Sequence, residues 1–181
     1  MNKTPLILRK LEPRDEKAFM IALKEWDNSQ GFLFTQGYVE GMPYLEYLDL
    51  LQANDRGERL PEGYVAATTL CAFVGDTIVG RLSFRHRLND FLLKAGGHIG
   101  YGVLPSHRRH GYAKEMLAQA LPHARAYGIL NVLITCDDDN IASIKTIESA
   151  HGHLENTVEM GEGKPLKRRY WIHTGDLFQT V

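Results

Sequence analysis

The stretch "GYGVLPSHRRHGYAKEML", from Gly100 to Leu117, decides how the rest of the chain can be arranged. Its first residues form a short apolar run that is typical of a strand, and Pro105 ends that strand because proline has no backbone N–H to donate. From Gly111 to Tyr127 the apolar side chains recur at helical spacing. The stretch therefore predicts a strand that leads through a short basic loop into an amphipathic helix.

The basic loop places Arg108, Arg109 and Gly111 at the start of this helix. The first amides of a helix have no acceptor inside it, and the helix dipole adds partial positive charge there. Gly111 has no side chain and Ala113 has a small one, so a ligand can approach the backbone closely. The loop therefore predicts a cradle for a phosphate or pyrophosphate. The alternative is an ordinary helix start with two solvated arginines. Neither the P-loop pattern nor the Rossmann glycine pattern occurs.

Length and composition indicate one soluble globular domain over residues 1–181. The chain is 44% hydrophobic and 24% charged, and its formal net charge of −1 argues against a general nucleic-acid-binding protein. No apolar run approaches the roughly 20 residues of a membrane helix, so we expect a cytoplasmic protein. Cys71 and Cys136 lie in apolar, strand-like runs and are expected to be buried thiols, with a disulfide as the alternative.

Strands and helices alternate regularly only in the second half of the chain. The predicted order, β-α-α-β-β-β-α-β-α-β-β, indicates an α/β domain with a mixed sheet. Gly75 and Asp76 separate two β-rich runs and predict a hairpin. Pro122 lies inside the helix predicted at Gly111–Tyr127, where we expect a kink or a local break.

The segment from Val103 to Ala113, "VLPSHRRHGYA", resembles motif A of the GNAT superfamily of acetyl-CoA-dependent N-acetyltransferases. That motif is a strand ending in Val or Ile, a proline two residues later, and the pattern [RQ]xxGx[GA] opening a helix. Farther along, the predicted strand "NVLITC" leads to Asn140 and Ser143 at the start of another helix, as in the same superfamily. The resemblance is strongest over Gly97 to Gly152, and the sequence of this region is similar to that of a bacterial subgroup of predicted acetyltransferases.

The resemblance implies a single domain with a mixed, mostly antiparallel sheet. The sheet would have about six or seven strands, splay between the fourth and fifth, and be flanked by about four helices. It also implies acetyl-CoA as co-substrate, with its pyrophosphate on the amides of Arg108 to Ala113 and its pantetheine along Ile99 to Leu104. The backbone N–H of Val103 would polarise the thioester carbonyl, and Asn140 would reach the pantetheine or the amine. The residues assigned in this way to the cofactor are Tyr101, Val103, Arg108, Arg109, His110, Gly111, Tyr112, Ala113, Asn140, Ser143 and Ile147.

The proton-transfer residues of the superfamily are not matched. Many members carry a tyrosine seven residues after the Asn, where it protonates the leaving thiolate, and this position is Ile147. A glutamate is common on the fourth strand, but here the ionisable residues are His98 and Tyr101, which strand alternation turns to opposite faces. His98 titrates near neutral pH and is the candidate base. The alternatives are a hydrogen-bonded structural histidine and a water chain that removes the proton.

Two regions supply candidate acceptor-binding residues. Arg85 and His86 lie near the end of the third strand, where they bind substrate or cap a turn. Trp26 belongs to the aromatic region between the first two helices, which covers the acceptor in the superfamily and could equally form core. The other residues of these regions are Glu25, Phe32, Phe34, Tyr38, Asn89 and Asp90. The acidic run at 137–140 lacks the glycine of an EF-hand, and we expect no metal.

Together these features predict an enzyme that moves an acetyl group from acetyl-CoA to a primary amine of a small molecule or peptide. The amine would attack directly in a ternary complex, without a covalent acyl-enzyme. A non-catalytic acyl-CoA-binding domain on the same fold is the alternative, and the unmatched proton-transfer positions keep it open. A nucleic-acid-associated role for Arg108, Arg109, Arg168 and Arg169 is disfavoured by the net charge. Neither nucleic acid nor membrane is expected as a partner, and a homodimer is compatible with the sequence.

Overall fold

The computed structural model describes residues 4–26 and 33–175, which form two antiparallel sheets. The first sheet has the order β1-β2-β3-β4, with β1 at Leu6–Arg9, β2 at Ala67–Val74, β3 at Thr77–Arg85 and β4 at Ile99–Val103. The second has the order β5-β7-β6, with β5 at Asn131–Asp137, β6 at His153–Val158 and β7 at Lys167–His173. The expected α/β fold is confirmed, and strand pairing breaks between β4 and β5.

In the described part of the chain, four α-helices flank the sheets, at Glu16–Glu25 (α1), Tyr44–Asp55 (α2), Tyr112–Ala126 (α3) and Ile141–Ser149 (α4). Helix α3 runs without interruption through Pro122, so the predicted local break is wrong. The proline ring is exposed, whereas Leu121 and Ala124 are fully buried beside it. Packing on both sides of the proline therefore maintains the helix although one backbone hydrogen bond is missing.

The helices pack in pairs on opposite faces of the sheets. Helices α3 and α4 cover a core in which Met116, Leu117 and Ile147 are completely buried. Helices α1 and α2 cover a second, aromatic core around Phe19. The rings that contact Phe19, at centroid distances of 5.2 to 5.9 Å, are those of Phe34, Tyr38, Tyr44 and Tyr47. Because successive residues of a strand face opposite sides, β3 and β4 present one set of side chains to each core.

The two cysteines are free thiols in different cores. Cys71 lies in the aromatic core and Cys136 in the other. Burial raises the pKa of Cys71 to about 12 and that of Cys136 to about 11, so both thiols stay protonated at neutral pH. The expectation of buried thiols is confirmed. Within residues 4–26 and 33–175, no helix has both the length and the apolar character to cross a membrane.

Candidate active site

The break between the two sheets opens a cleft, and His98 and Leu133 join the strands at its base. The His98 N–H donates to the Leu133 carbonyl (2.7 Å), and the Leu133 N–H donates to His98 Nδ1 (3.0 Å). Gly97 permits this approach, because a Cβ there would lie 2.6 Å from the Leu133 carbonyl oxygen. Its φ of +64° also favours glycine. From this junction β4 continues to Val103 in one sheet and β5 continues in the other.

The junction gives His98 a structural role. Its Nδ1 accepts a hydrogen bond from β5, so that atom must be unprotonated. Burial, together with the charge of nearby Arg85, lowers the pKa of His98 to about 4. The sequence-based expectation that His98 is the general base does not fit this placement, because its accepting nitrogen is bound to Leu133. The structure fits the alternative of a hydrogen-bonded structural histidine.

The backbone of β4 offers polar groups to the cleft at Tyr101 and Val103. The Leu104 N–H donates to the Val79 carbonyl of β3 (2.9 Å), and ladder hydrogen bonds of an antiparallel pair recur at every second residue. Tyr101 and Val103 therefore turn their N–H and C=O groups away from β3. The Val103 carbonyl accepts from Arg108 Nε (3.3 Å), which leaves the Val103 N–H directed into the cleft. An extended ligand could pair with this edge as another strand would.

The loop after β4 forms an anion nest, defined here as the backbone from Arg109 to Ala113. Arg109 and Gly111 both have left-handed backbone conformations, with φ of +65° and +84°. Such turns aim successive N–H groups into one concavity. The amides of Lys114 and Glu115 both donate to the Gly111 carbonyl (3.0 and 3.2 Å), so the helix ladder begins only after the nest. A Cβ on Gly111 would meet nothing within 4 Å, which shows that the space above the backbone is open.

Side chains around the nest fix the loop. The ring of His110 stacks on Tyr112 (5.7 Å between centroids), and its Nδ1 lies 3.2 Å from the His107 carbonyl. The Ser106 N–H donates to Glu25 Oε1 (2.9 Å), which ties the loop to the end of α1. Arg108, Arg109 and His110 are exposed. The positive side chains can therefore adjust to a ligand while the backbone that would hold its phosphates is fixed.

Helix α4 begins beside the cleft at Asn140, its N-cap. Asn140 Oδ1 accepts from the Ser143 N–H (3.0 Å), and the Ser143 hydroxyl lies 3.0 Å from the Tyr101 hydroxyl of β4. Burial raises the pKa of Tyr101 to about 12, so the phenol remains protonated at neutral pH and cannot act as a base. It can still donate a proton. The Tyr101–Ser143 pair is not evident from sequence, although the spacing of Asn140 and Ser143 is that of a helix cap.

Ile147 does not reach the cleft. Its side chain is completely buried in the core under α3 and α4. The expectation that Ile147 contacts the cofactor does not fit this placement of its side chain. A tyrosine at this position would point into packed core, so the missing tyrosine of the superfamily pattern does not leave a gap in the cleft.

The face of the first sheet under α1 and α2 contains a cavity of about 340 Å³, called here the acceptor cavity. Arg81, Ser83 and Arg85 project into it from alternate positions of β3. Its other lining residues are Leu33, Gln36, Gly63, Tyr64, Val65, Ala67, Phe91 and Leu92. The register places Arg81 beside Gly102 and Ser83 beside Gly100, so β4 has no side chains on this face. The cavity is therefore lined by the strand that pairs with β4, and no β4 side chain stands between them on this face.

Arg85 lies in the acceptor cavity, but His86 does not. As the next residue of the chain, His86 faces the other way, where its Nε2 lies 2.9 Å from the Thr68 hydroxyl and 3.4 Å from Asp55 Oδ1. Its ring stacks on Tyr127 at 4.3 Å. The expectation that His86 contacts the acceptor together with Arg85 does not fit this placement. Sequence reasoning also missed Arg81 and Ser83, which the alternation of β3 relates to Arg85.

Trp26 belongs to the aromatic core and not to the lining of the acceptor cavity. Its ring lies 5.0 Å from that of Phe34, between the end of α1 and the segment that leads to α2. The prediction for Phe32 falls outside the described residues. The described ranges contain no group of three or more His, Cys, Asp or Glu side chains arranged to hold a metal ion.

Comparison with known proteins agrees with this architecture. The sequence matches the profile of the acetyltransferase (GNAT) family over residues 22–153. A search of curated proteins gave no match.

Three solved structures illustrate the likeness. A putative acetyltransferase, yncA of Salmonella typhimurium with acetyl-CoA, has 14% identity and a TM-score of 0.60 over 93% of this chain and 94% of that one. RimL, a ribosomal L7/L12 alpha-N-protein acetyltransferase in complex with coenzyme A, has 23% identity and a TM-score of 0.64 over 94% of each chain. Mycobacterium smegmatis RimJ in complex with CoA-disulfide has 19% identity and a TM-score of 0.67 over 96% of this chain and 84% of that one. Such identities establish the fold alone. Because the family profile covers most of the sequence, the chain belongs to the acetyltransferase (GNAT) family.

Proposed function

We propose that this protein is an N-acetyltransferase that moves an acetyl group from acetyl-CoA to a primary amine of a small molecule or peptide. The observation that carries the proposal is that two features lie next to each other at one end of β4. These are the cleft-facing backbone of Tyr101 and Val103 and the anion nest with its open Gly111. A ligand with a linear amide-containing arm and a pyrophosphate would use both features together.

The residues of the cleft suit both the pantetheine arm and the pyrophosphate of coenzyme A. The backbone edge of β4 would pair with the amides of the pantetheine arm, and the nest would accept the pyrophosphate oxygens. Arg108 and Arg109 would add charge at the phosphates. Asn140 uses its oxygen to cap α4 and keeps amide N–H groups with which it could bind the arm. The bound thioester supplies an activated acetyl group.

Val103 would stabilise the transition state with its backbone N–H. This group is directed into the cleft, where the thioester carbonyl oxygen would lie if the pantetheine follows β4. Negative charge develops on that oxygen when the amine attacks, so a fixed donor there favours the transition state over the ground state. The Arg108 contact with the Val103 carbonyl holds the peptide unit that follows this donor.

The Tyr101–Ser143 pair would supply the proton that the leaving thiolate takes up. The Ser143 hydroxyl stands at the N-terminus of α4 and would donate to sulfur, the phenol of Tyr101 would re-protonate the serine, and solvent would return a proton to the phenol. The high pKa of Tyr101 keeps the relay loaded at neutral pH. We assign the proton that the attacking amine loses to solvent, because neither His98 nor Tyr101 is suited to accept it.

The acceptor would approach from the side of the acceptor cavity, where β4 presents only Gly100 and Gly102. A peptide amine is supported by the likeness to RimL, which is described as acting on the alpha-amino group of a ribosomal protein. The cavity has the size of a small-molecule site, which supports a small amine equally.

Two measurements test this function in sequence. Acetyl-CoA at 100 times its Kd should raise the free energy of unfolding by about 2.7 kcal/mol, seen as an increase in Tm. Thiol release across a panel of amines and peptides should then be amine-dependent. Absence of a thermal shift would overturn cofactor binding. A thermal shift without thiol release for any amine would favour a non-catalytic acyl-CoA-binding domain. The lack of a carboxylate on β4 is also compatible with such a domain.

A further inference from the structure

The acceptor cavity has an unusual concentration of positive charge. Arg81 is only 2% exposed, and Arg85 is half-buried on the same face of β3. Burial, together with the charge of nearby Arg81, lowers the pKa of Arg85 to about 10, so Arg85 remains charged at neutral pH. Two guanidinium groups on one face of β3 give the acceptor cavity a positive potential that favours an anionic ligand.

The walls of the acceptor cavity hold no acidic side chain among the described residues. The charged side chains in its lining are Arg81 and Arg85, and the uncharged polar ones are Gln36, Ser83 and Tyr64. Arg81 Nη1 donates to the Leu33 carbonyl (2.5 Å). The charged and polar side chains of the lining can all donate hydrogen bonds to an anion.

Backbone contacts hold Arg85 in place. Its Nη1 donates to the carbonyls of Gly96 and Gly97 (3.0 and 3.2 Å), just before the His98 junction. A guanidinium has five N–H donors in a planar fork, so one nitrogen can be fixed by carbonyls while others bind a ligand. A carboxylate matches this fork better than a spherical anion does. The site is therefore preorganised on a strand rather than carried on a flexible loop.

The cavity is also close to the bond that would react. Arg81 is the register partner of Gly102, and directly opposite residues of an antiparallel pair have Cα atoms about 4.5 to 5.5 Å apart. Gly102 immediately precedes Val103, whose N–H would hold the thioester carbonyl. A carboxylate bound by Arg85 and Ser83 would thus be separated from the attacking amine by only a few residues along the paired strands. The apolar side chains of Val65, Phe91 and Leu92 would contact the carbon skeleton between the two groups.

We propose that Arg85, together with Ser83 and Arg81, binds a carboxylate of the acceptor, so that the preferred acceptors are amino acids or short acidic peptides rather than simple amines or polyamines. This assignment rests on the proposed function and narrows its substrate class.

Matched acceptors test the assignment. Amino acids of increasing length are compared with the amines that lack only the carboxylate, and with phosphorylated amines of equal length, by thiol release at fixed acetyl-CoA. The carboxylated member of a pair should have a kcat/KM at least about tenfold higher, as expected for a hydrogen bond to a charged group. Equal rates within every pair would overturn the proposal, and preference for phosphorylated amines would overturn the carboxylate assignment.

Variants locate the effect. Arg85→Gln should remove the preference by raising KM for the carboxylated acceptor about tenfold or more, with little change for its decarboxylated partner. Arg85→Lys should restore part of it. Arg87→Gln, which removes an exposed arginine two residues later, is the matched control and should change neither. A similar loss for both acceptors in Arg85→Gln, with normal coenzyme A thermal shift, would mean that Arg85 serves only the fold.

Binding separates this assignment from the proposed function. Calorimetry with the protein and desulfo-coenzyme A measures whether carboxylated and decarboxylated amines bind, without any turnover. If no amine is acetylated but the carboxylated amine binds through Arg85, the proposed reaction fails and the anion site stands. If amines are acetylated and no carboxylate preference appears in binding or rate, only the anion site fails.

Discussion

His98 and Leu133 exchange two hydrogen bonds across the base of the cleft, one through the histidine backbone and one through its ring. This junction fixes the point at which β4 and β5, and with them the two sheets, diverge. One strand carries the donor at Val103, and the other leads to the start of α4 with Ser143. The ring must be neutral for the second hydrogen bond to exist, so the geometry of the cleft depends on the protonation state of one histidine.

Acidification should therefore destabilise the protein through His98. The folded pKa of about 4 lies below the ordinary value of 6.5, so the unfolded chain binds more protons between these values. The stability due to the neutral ring is complete above pH 6.5 and is lost as the pH falls toward 4. Between pH 7.5 and pH 5 we expect a loss of about 2 kcal/mol in the free energy of unfolding from this residue, measured by urea denaturation.

His98→Asn supplies the control, because its Oδ1 can accept from the Leu133 N–H without titrating. The variant should show a pH dependence of stability that is flatter by that amount. Identical slopes for the two proteins would contradict the neutral-ring assignment. The acidic limb of the rate profile should be the same in both, since His98 is not assigned to take the proton from the amine. A displaced acidic limb in His98→Asn would restore His98 as the candidate base.

The anion nest should fail when a carboxylate enters it. Gly111→Asp combines backbone strain at φ +84° with negative charge among the amides, so the coenzyme A thermal shift should disappear. Gly128→Asp is a matched control at the other end of α3. Its φ is +76°, a Cβ there also meets nothing within 4 Å, and it should lose similar stability while keeping the shift. Loss of the shift in both variants would attribute the effect to helix strain.

The two halves of the site differ in how far the sequence could predict them. The nest is local: Arg108 to Ala113 are contiguous, and their chemistry follows from residue types at the start of one helix. The Tyr101–Ser143 pair joins a strand to a helix 42 positions later, and no local pattern specifies that contact. The acceptor cavity required knowing which face of β3 is covered by α1 and α2. Alternation links Arg81, Ser83 and Arg85, but only tertiary packing decides which face a substrate can reach.

Removing the hydroxyls of the Tyr101–Ser143 pair should lower turnover more than binding. Tyr101→Phe keeps the ring that packs on the core, and Ser143→Ala keeps the helix, so we expect kcat to fall about 10- to 100-fold with little change in KM for acetyl-CoA. The kcat of the double variant should be no lower than that of the more impaired single variant, because the two groups act as one relay. Ser149→Ala, which removes a hydroxyl bonded within α4, is the control. Unchanged kcat in both single variants would place proton delivery elsewhere.

Ile147 should affect stability and leave the cofactor untouched. Its side chain is completely buried, so Ile147→Val should cost about 0.5 to 1.5 kcal/mol of unfolding free energy through the methyl group that is lost. Ile141→Val makes the same change on the same helix at a side chain that is 55% exposed, and should cost much less. Denaturant titration measures both, and the coenzyme A thermal shift should equal that of the unaltered protein in each. A weaker shift in Ile147→Val alone would place this residue against the cofactor after all, as the resemblance first implied, and would mean that α4 moves when coenzyme A binds.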